Sequence, residues 1–179
     1  MAATTAPLAL SGLARALIQA ARIKESDAEM LAAQTAASRT SFVEQLLASG
    51  KIGAADLARF ASETFGYPLL DLGAYDEVHV PKSAIDRKLI ANHRVVPLYK
   101  RGNRLCVAIA DPTNLRALDE IRFQTGSAVD PIVVREDQLA PLVAKFSETA
   151  DEALKNLAGD DINLDFEEET AAQKREEVP

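Results

Sequence analysis

Histidine, cysteine, serine and paired carboxylates build most catalytic and metal sites, and this sequence arranges few of them usefully. The chain has two histidines, His79 and His93, and one cysteine, Cys106. Their separation matches no zinc pattern, in which ligands come in close pairs so that one turn offers two donors to one ion. Cys106, between Leu105 and Val107, reads as a buried, inert thiol. No serine lies in a G-x-S-x-G elbow. The one Gly-Lys pair, Gly50-Lys51, has Gln45 where a phosphate-cradling loop needs its first glycine and Ile52 where it needs a hydroxyl. The eight glycines make no G-x-G-x-x-G. Asp119 and Glu120 fall near Arg116 and Arg122 on a predicted helix and read as solvated ion pairs. No catalytic residue, cofactor-binding residue or metal ligand is assigned, and this stretch is not expected to be an enzyme.

The elements that position these residues follow from hydrophobic spacing and capping signals. Leu13, Leu17 and Ile18 share a helical stripe, as do Phe42, Leu46 and Leu47. Ser26 with Glu29, and Ser41 with Glu44, have capping-box spacing and predict helix starts. A fourth helix is expected from about Ala54 to Thr64, stopping near Gly66. An internal repeat appears at an offset of 29 residues. Leu17-Ile18 through Arg22-Ile23 matches Leu46-Leu47 through Lys51-Ile52, and Asp27, Leu31 and Ala32 match Asp56, Phe60 and Ala61. Two such helix–turn–helix units can cover each other's apolar faces. Leu69-Leu70 is short, extended and suited to a seam between two subdomains.

A mixed unit follows. Pro81 suits the first turn of a helix carrying Ile85, Leu89 and Ile90. Val95 to Lys100 is strand-like, Arg101-Gly102-Asn103 is a turn, and Leu105, Val107 and Ile109 alternate along a second strand. Asp111-Pro112-Thr113-Asn114 reads as the cap of a helix that Gly126 ends. Ile132 to Val134 is a third strand, and a last helix carries Leu139 to Phe146 with Pro141 disturbing its first turns. The expected fold class is α+β. Residues 1–10 read as a flexible arm, 11–72 as a helical subdomain, 73–150 as a small α/β subdomain, and 151–179 as an acidic linker.

Charge narrows the choice of partners. The chain of 179 residues holds 27 acids and 20 bases. Ten of those acids and three bases lie from Asp151 onward, so residues 1–150 are neutral, with seventeen of each. A neutral body lacks the basic footprint that nucleic acid requires. No apolar run approaches the ~20 residues of a membrane helix, so membrane insertion is not expected and a cytoplasmic location is. With no Trp, six Phe and three Tyr, the core should be aliphatic.

Three blocks carry a family resemblance. They are residues 57–72, ending Phe65-Gly66-Tyr67-Pro68-Leu69-Leu70-Asp71-Leu72; residues 92–105, with Arg94-Val95-Val96-Pro97-Leu98-Tyr99; and residues 110–126, with Ala110-Asp111-Pro112-Thr113-Asn114. In order and spacing the stretch 12–147 resembles the N-terminal region of the type IV pilus assembly ATPases, within the type II/IV secretion ATPase family. The resemblance implies that a P-loop domain using ATP and Mg follows this region, in a cytoplasmic ring that powers pilus extension. This stretch would then be a regulatory and docking region.

The resemblance offers two ligands. Relatives that bind cyclic di-GMP carry, in each of two helical copies, a pattern resembling R-L-G-x-x-L-[VIL]-x-x-G-[LVI]-I, followed by a helix ending in Gln. Here Gly12 and Ser41 stand at the Arg positions, Ala21 replaces one Gly while Gly50 keeps the other, and Thr35 and Thr64 stand at the Gln positions. The missing groups argue against cyclic di-GMP as a partner. The resemblance then implies a PilZ-type adapter protein, with Leu13, Leu17, Phe42 and Leu46 as its contacts, besides the remaining ATPase domain and pilus motor components. A direct cyclic di-GMP sensor and a structural ring-packing module are the alternatives.

Overall fold

A computed structural model describes residues 9–148 together with residues 152, 154 and 155. The arm of residues 1–8 and most of the acidic stretch beyond 150 lie outside the described residues, so the readings made of them are not addressed. Among the described residues the chain forms helices α1 (Gly12–Gln19), α2 (Glu25–Ser38), α3 (Phe42–Ala48) and α4 (Ala54–Phe65). After two short 3-10 turns come α5 (Arg87–His93), strands β1 (Val96–Arg101) and β2 (Arg104–Ile109), α6 (Leu115–Thr125), β3 (Ala128–Val133) and α7 (Glu136–Ser147). The architecture is α+β, and no helix among the described residues is long and apolar enough to cross a membrane.

The first four helices are two copies of one hairpin. The repeat is exact at the turns: α2 begins at Glu25 and α4 at Ala54, 29 residues apart. Ala21 and Gly50, also 29 apart, both take the left-handed conformation. Each α1 and α3 start is capped by serine. Ser11 Oγ accepts from the Ala14 amide at 3.2 Å, and Ser41 makes the predicted capping box with Glu44. Ser26 does not open α2. Lys24 is the N-cap, without a side-chain hydrogen bond, and Ser26 lies inside the first turn. The repeated turn, not the local serine, sets where this helix begins.

In the second half, Gly102 turns β1 back onto β2 in antiparallel register, and α6 carries the chain over so that β3 runs parallel to β2. The sheet order is β1-β2-β3. α5 starts at Arg87 because Asp86 Oδ1 caps the Lys88 amide at 2.9 Å; Pro81 and Ile85 belong to the turns before it. α7 passes through Pro141 unbroken. The segment at Leu69 and Leu70 does not simply fill a seam. It pairs with β3: the Leu70 amide donates to Val133 O at 2.9 Å, and the Val133 amide donates to Pro68 O at 2.8 Å.

The largest fully buried side chains are all Leu or Ile, from Leu13 and Leu17 through Leu98 and Ile109 to Leu139. Phe146, the one buried aromatic among the described residues, closes the cluster near the end of α7.

Candidate functional site

A groove of about 480 Å³ opens at the turn of the first hairpin, and Lys51 from the equivalent turn of the second hairpin joins its lining. Ile18 and Ile23 form part of its wall, and Arg22, Lys24 and Lys51 supply three cations against one carboxylate, Asp27. Arg22 and Lys51 occupy the same position in the two copies. Each directly follows the left-handed residue of its turn. Arg22 crosses from the first hairpin to the second, its guanidinium 5.9 Å from the centre of the Phe60 ring on α4. Lys51 reaches back, with its Nζ 3.2 Å from Asp27 Oδ2 on α2. The two copies thus exchange cations across the groove.

The backbone explains why the turns present these side chains. In the first turn the Arg22 amide donates to Leu17 O at 2.9 Å and the Ala21 amide to Ile18 O at 3.0 Å, the Schellman pattern that ends a helix on a left-handed residue. In the second, the Gly50 amide donates to Leu47 O at 3.1 Å, and Ser49 Oγ donates to Leu46 O at 2.6 Å, taking the carbonyl that the longer backbone bond uses in the first copy.

Gly12 and Ser41, the positions at which the resemblance would place Arg, are engaged in other contacts. A Cβ on Gly12 would stand 3.0 Å from Thr113 Cβ. Thr113 Oγ1 accepts from the Leu13 amide at 3.1 Å and donates to Asp111 Oδ1 at 2.5 Å. The loop 111–114 caps α6 through Asn114, as its sequence suggests, but it also docks on the start of α1. Burial raises the Asp111 carboxyl above its ordinary range, and hydrogen bonds from the Thr113 hydroxyl and amide act against that rise. At the second copy, Ser41 is committed to its capping box, and the Glu44 that completes the box also faces Arg94 NH1 at 3.1 Å. Arg94 in turn holds Glu136, at the head of α7, through Nε at 2.8 Å. Glu136 is only 6% exposed, and its burial raises its carboxyl pKa despite the opposing pull of Arg94.

The proposed adapter contacts need correction. Leu13, Leu17 and Leu46 are 0% exposed, and Phe42 is half-buried and packed on the same core. The chain's own core buries the apolar stripes that spacing alone leaves uncommitted, so three of the four residues have no surface to offer. The other residues singled out for chemistry are dispersed. Cys106 is a buried free thiol in β2. His93 Nε2 lies 2.5 Å from Glu120 Oε2, and Arg116 and Arg122 pair with Glu120 and Asp119 as their spacing suggests. Among the described residues no cluster of His, Cys, Asp and Glu has the makings of a metal site.

A larger concavity, about 670 Å³, lies between α5 and α6 beside Leu89 and Phe123. Asp86, Asp119 and Glu120 on its border, with Lys88 as its one cation, disfavour an anion. The groove between the hairpin turns is therefore the better candidate for a charged ligand. The sequence carries its parts, the basic–Ile dipeptides in register, but their spacing alone signals duplication and not a site.

Comparison with known proteins gives a consistent picture. Residues 65–153 match the MshEN domain. The type IV pilus assembly ATPase PilB of Pseudomonas aeruginosa is 38% identical over 156 residues, covering 87% of this chain and 27% of that protein. PilB of Acinetobacter baylyi is 34% identical over 167 residues, 93% of this chain and 28% of that protein. The chain thus spans about a quarter of the length of these relatives. Among solved structures, MshE with cyclic di-GMP matches at a TM-score of 0.53 and 19% identity, covering 75% of this chain and 97% of that one. The N-terminal domain of XpsE matches at a TM-score of 0.56 and 24% identity, covering 74% and 91%. These two show a shared fold. The expectation that set cyclic di-GMP aside as a partner is overturned, because a protein of this fold is solved with that ligand. The chain belongs with the N-terminal, MshEN-bearing regions of the type IV pilus assembly ATPases, distinct from their catalytic domain.

Proposed function

We propose that this region is the regulatory module of a cytoplasmic pilus-extension ATPase and that it binds cyclic di-GMP. The observation that carries the reading is the in-register duplication, in which two equivalent turns each set a cation on one groove. A ligand made of two equal halves, each with one phosphate and one guanine, suits a groove to which both copies of the repeated turn contribute a cation. Cations neutralise the phosphates, and a guanidinium offers a planar face on which a base can stack. The fold shared with MshE, itself solved with this nucleotide, supports the same reading.

Binding at the seam would tie the two hairpins together. Each hairpin is docked on the α/β half, the first through Leu13 and Thr113 and the second through Glu44 and Arg94. A ligand that alters the hairpin pair therefore acts on the elements leading to α7 and onward to the motor. ATP and Mg belong to the catalytic domain of the whole protein in this reading. Titration calorimetry of the 179-residue chain with cyclic di-GMP tests it. Saturable binding in the micromolar range, about −8 kcal/mol, is expected, with no comparable heat from GMP. No saturable heat at all would refute the reading.

A further inference from the structure

We propose that this chain grips the phosphates of its dinucleotide with Arg22, Lys24 and Lys51, cations placed on the hairpin turns, and not from the helix starts at positions 12 and 41. The inference rests on the ligand reading above and adds where and by what chemistry the ligand is held.

The helix starts are not available for the task. Gly12 has no side chain, and its Cα faces Thr113 so closely that even a methyl group would meet Thr113 Cβ at 3.0 Å. Ser41 both accepts from the Glu44 amide and donates its own amide to the Glu44 carboxylate. The groups at both positions serve tertiary structure and capping.

The turns are available and carry the right charge. Residues 1–150 are neutral as a whole, yet three cations and a single carboxylate border this one groove. Its local excess of two positive charges equals the two negative charges of a cyclic dinucleotide. Arg22 is oriented across the groove by the Phe60 ring. Arg22 is exposed, and a guanidinium can make a charge-assisted, two-pronged contact to a phosphate. Lys51 is held by Asp27 and is only about one-third exposed in its side chain. Asp27 thus stands as an internal competitor for the phosphate. The groove volume, about 480 Å³, falls within the usual range of small-molecule sites.

Calorimetry with cyclic di-GMP on the 179-residue chain and three variants tests the assignment, with circular dichroism confirming that each is folded. Arg22→Gln and Lys51→Gln should each weaken binding about tenfold, the loss of one charge-assisted hydrogen bond. Both should also lower the dependence of affinity on salt. Asp27→Asn should tighten binding a few fold by releasing Lys51, a gain that unfolding cannot imitate. Wild-type binding that all three variants leave unchanged would overturn the assignment of the grip while leaving the ligand reading intact. Absence of wild-type binding would instead overturn the ligand reading and this inference with it.

Discussion

The duplicated turn makes an internal experiment possible, since one left-handed position holds Ala21 and its equivalent holds Gly50. Their φ angles are 55° and 72°. An L-residue pays about 1–2 kcal/mol for this conformation, because its Cβ crowds the adjacent carbonyl. Glycine avoids that strain but loses more chain entropy on folding, about 0.5–1 kcal/mol. The strain exceeds the entropy, so glycine should win by roughly 0.5–1 kcal/mol at each site. No contact confuses the comparison. Ala21 is exposed, and a Cβ on Gly50 would meet nothing within 4 Å. Ala21→Gly should therefore stabilise the protein and Gly50→Ala should destabilise it by a similar amount. Urea unfolding followed by circular dichroism should show the midpoints move in opposite directions with unchanged slopes. In a chain of this size the melting temperature should shift by roughly 1–4 °C. If both substitutions moved the midpoint the same way, the equivalence of the two turns and the strain argument would both fail.

Two further predictions concern the contacts that join the hairpins to the α/β half. Gly12→Ala replaces the poorest helix former but one with the best, yet it should destabilise by about 1–3 kcal/mol, because Thr113 is pinned by Leu13 and Asp111 and cannot easily yield; an increase in the urea midpoint would mean that the 111–114 loop is not firmly docked. Asp111 has a pKa raised by burial, so its protonated form is favoured in the folded state; its contribution is fully present below the ordinary carboxylate pKa and is lost as pH rises through the raised one. Asp111→Asn keeps the oxygen that accepts from Thr113 but cannot ionise. Unfolding measured from pH 7 down to pH 4 should show the wild type gaining on the variant as pH falls, whereas Glu120 and Asp137, with lowered values from their His93 and Arg135 hydrogen bonds, contribute the opposite slope in both proteins. A difference between the two proteins that stays constant across this range would contradict the raised value.

Local chemistry is legible in the sequence. The capping box at Ser41, the glycines at 50, 66, 102 and 126, and the alternation of Leu105, Val107 and Ile109 each depend on hydrogen bonds or side-chain periods spanning a few residues. The offset of 29 marks the duplication, and the three sequence blocks are enough to identify the family. Errors arose where a local signal met a stronger non-local one: Ser26 had the spacing of a cap, yet the repeated turn began α2 at Glu25.

What only the tertiary structure decided is which surfaces meet. Amphipathic spacing says that Leu13, Leu17 and Leu46 need cover; it does not say whether a partner protein or the chain itself provides it. The fold buries them in its own core, and the start of α1 is tied down by Thr113, a hundred residues away from Leu13. The same packing brings Arg94 to Glu44 and Glu136, lays Leu70 on β3, and sets Arg22 and Lys51 on a common groove. Such pairings depend on complementary shapes assembled from distant segments, for which no short stretch of sequence carries a sign.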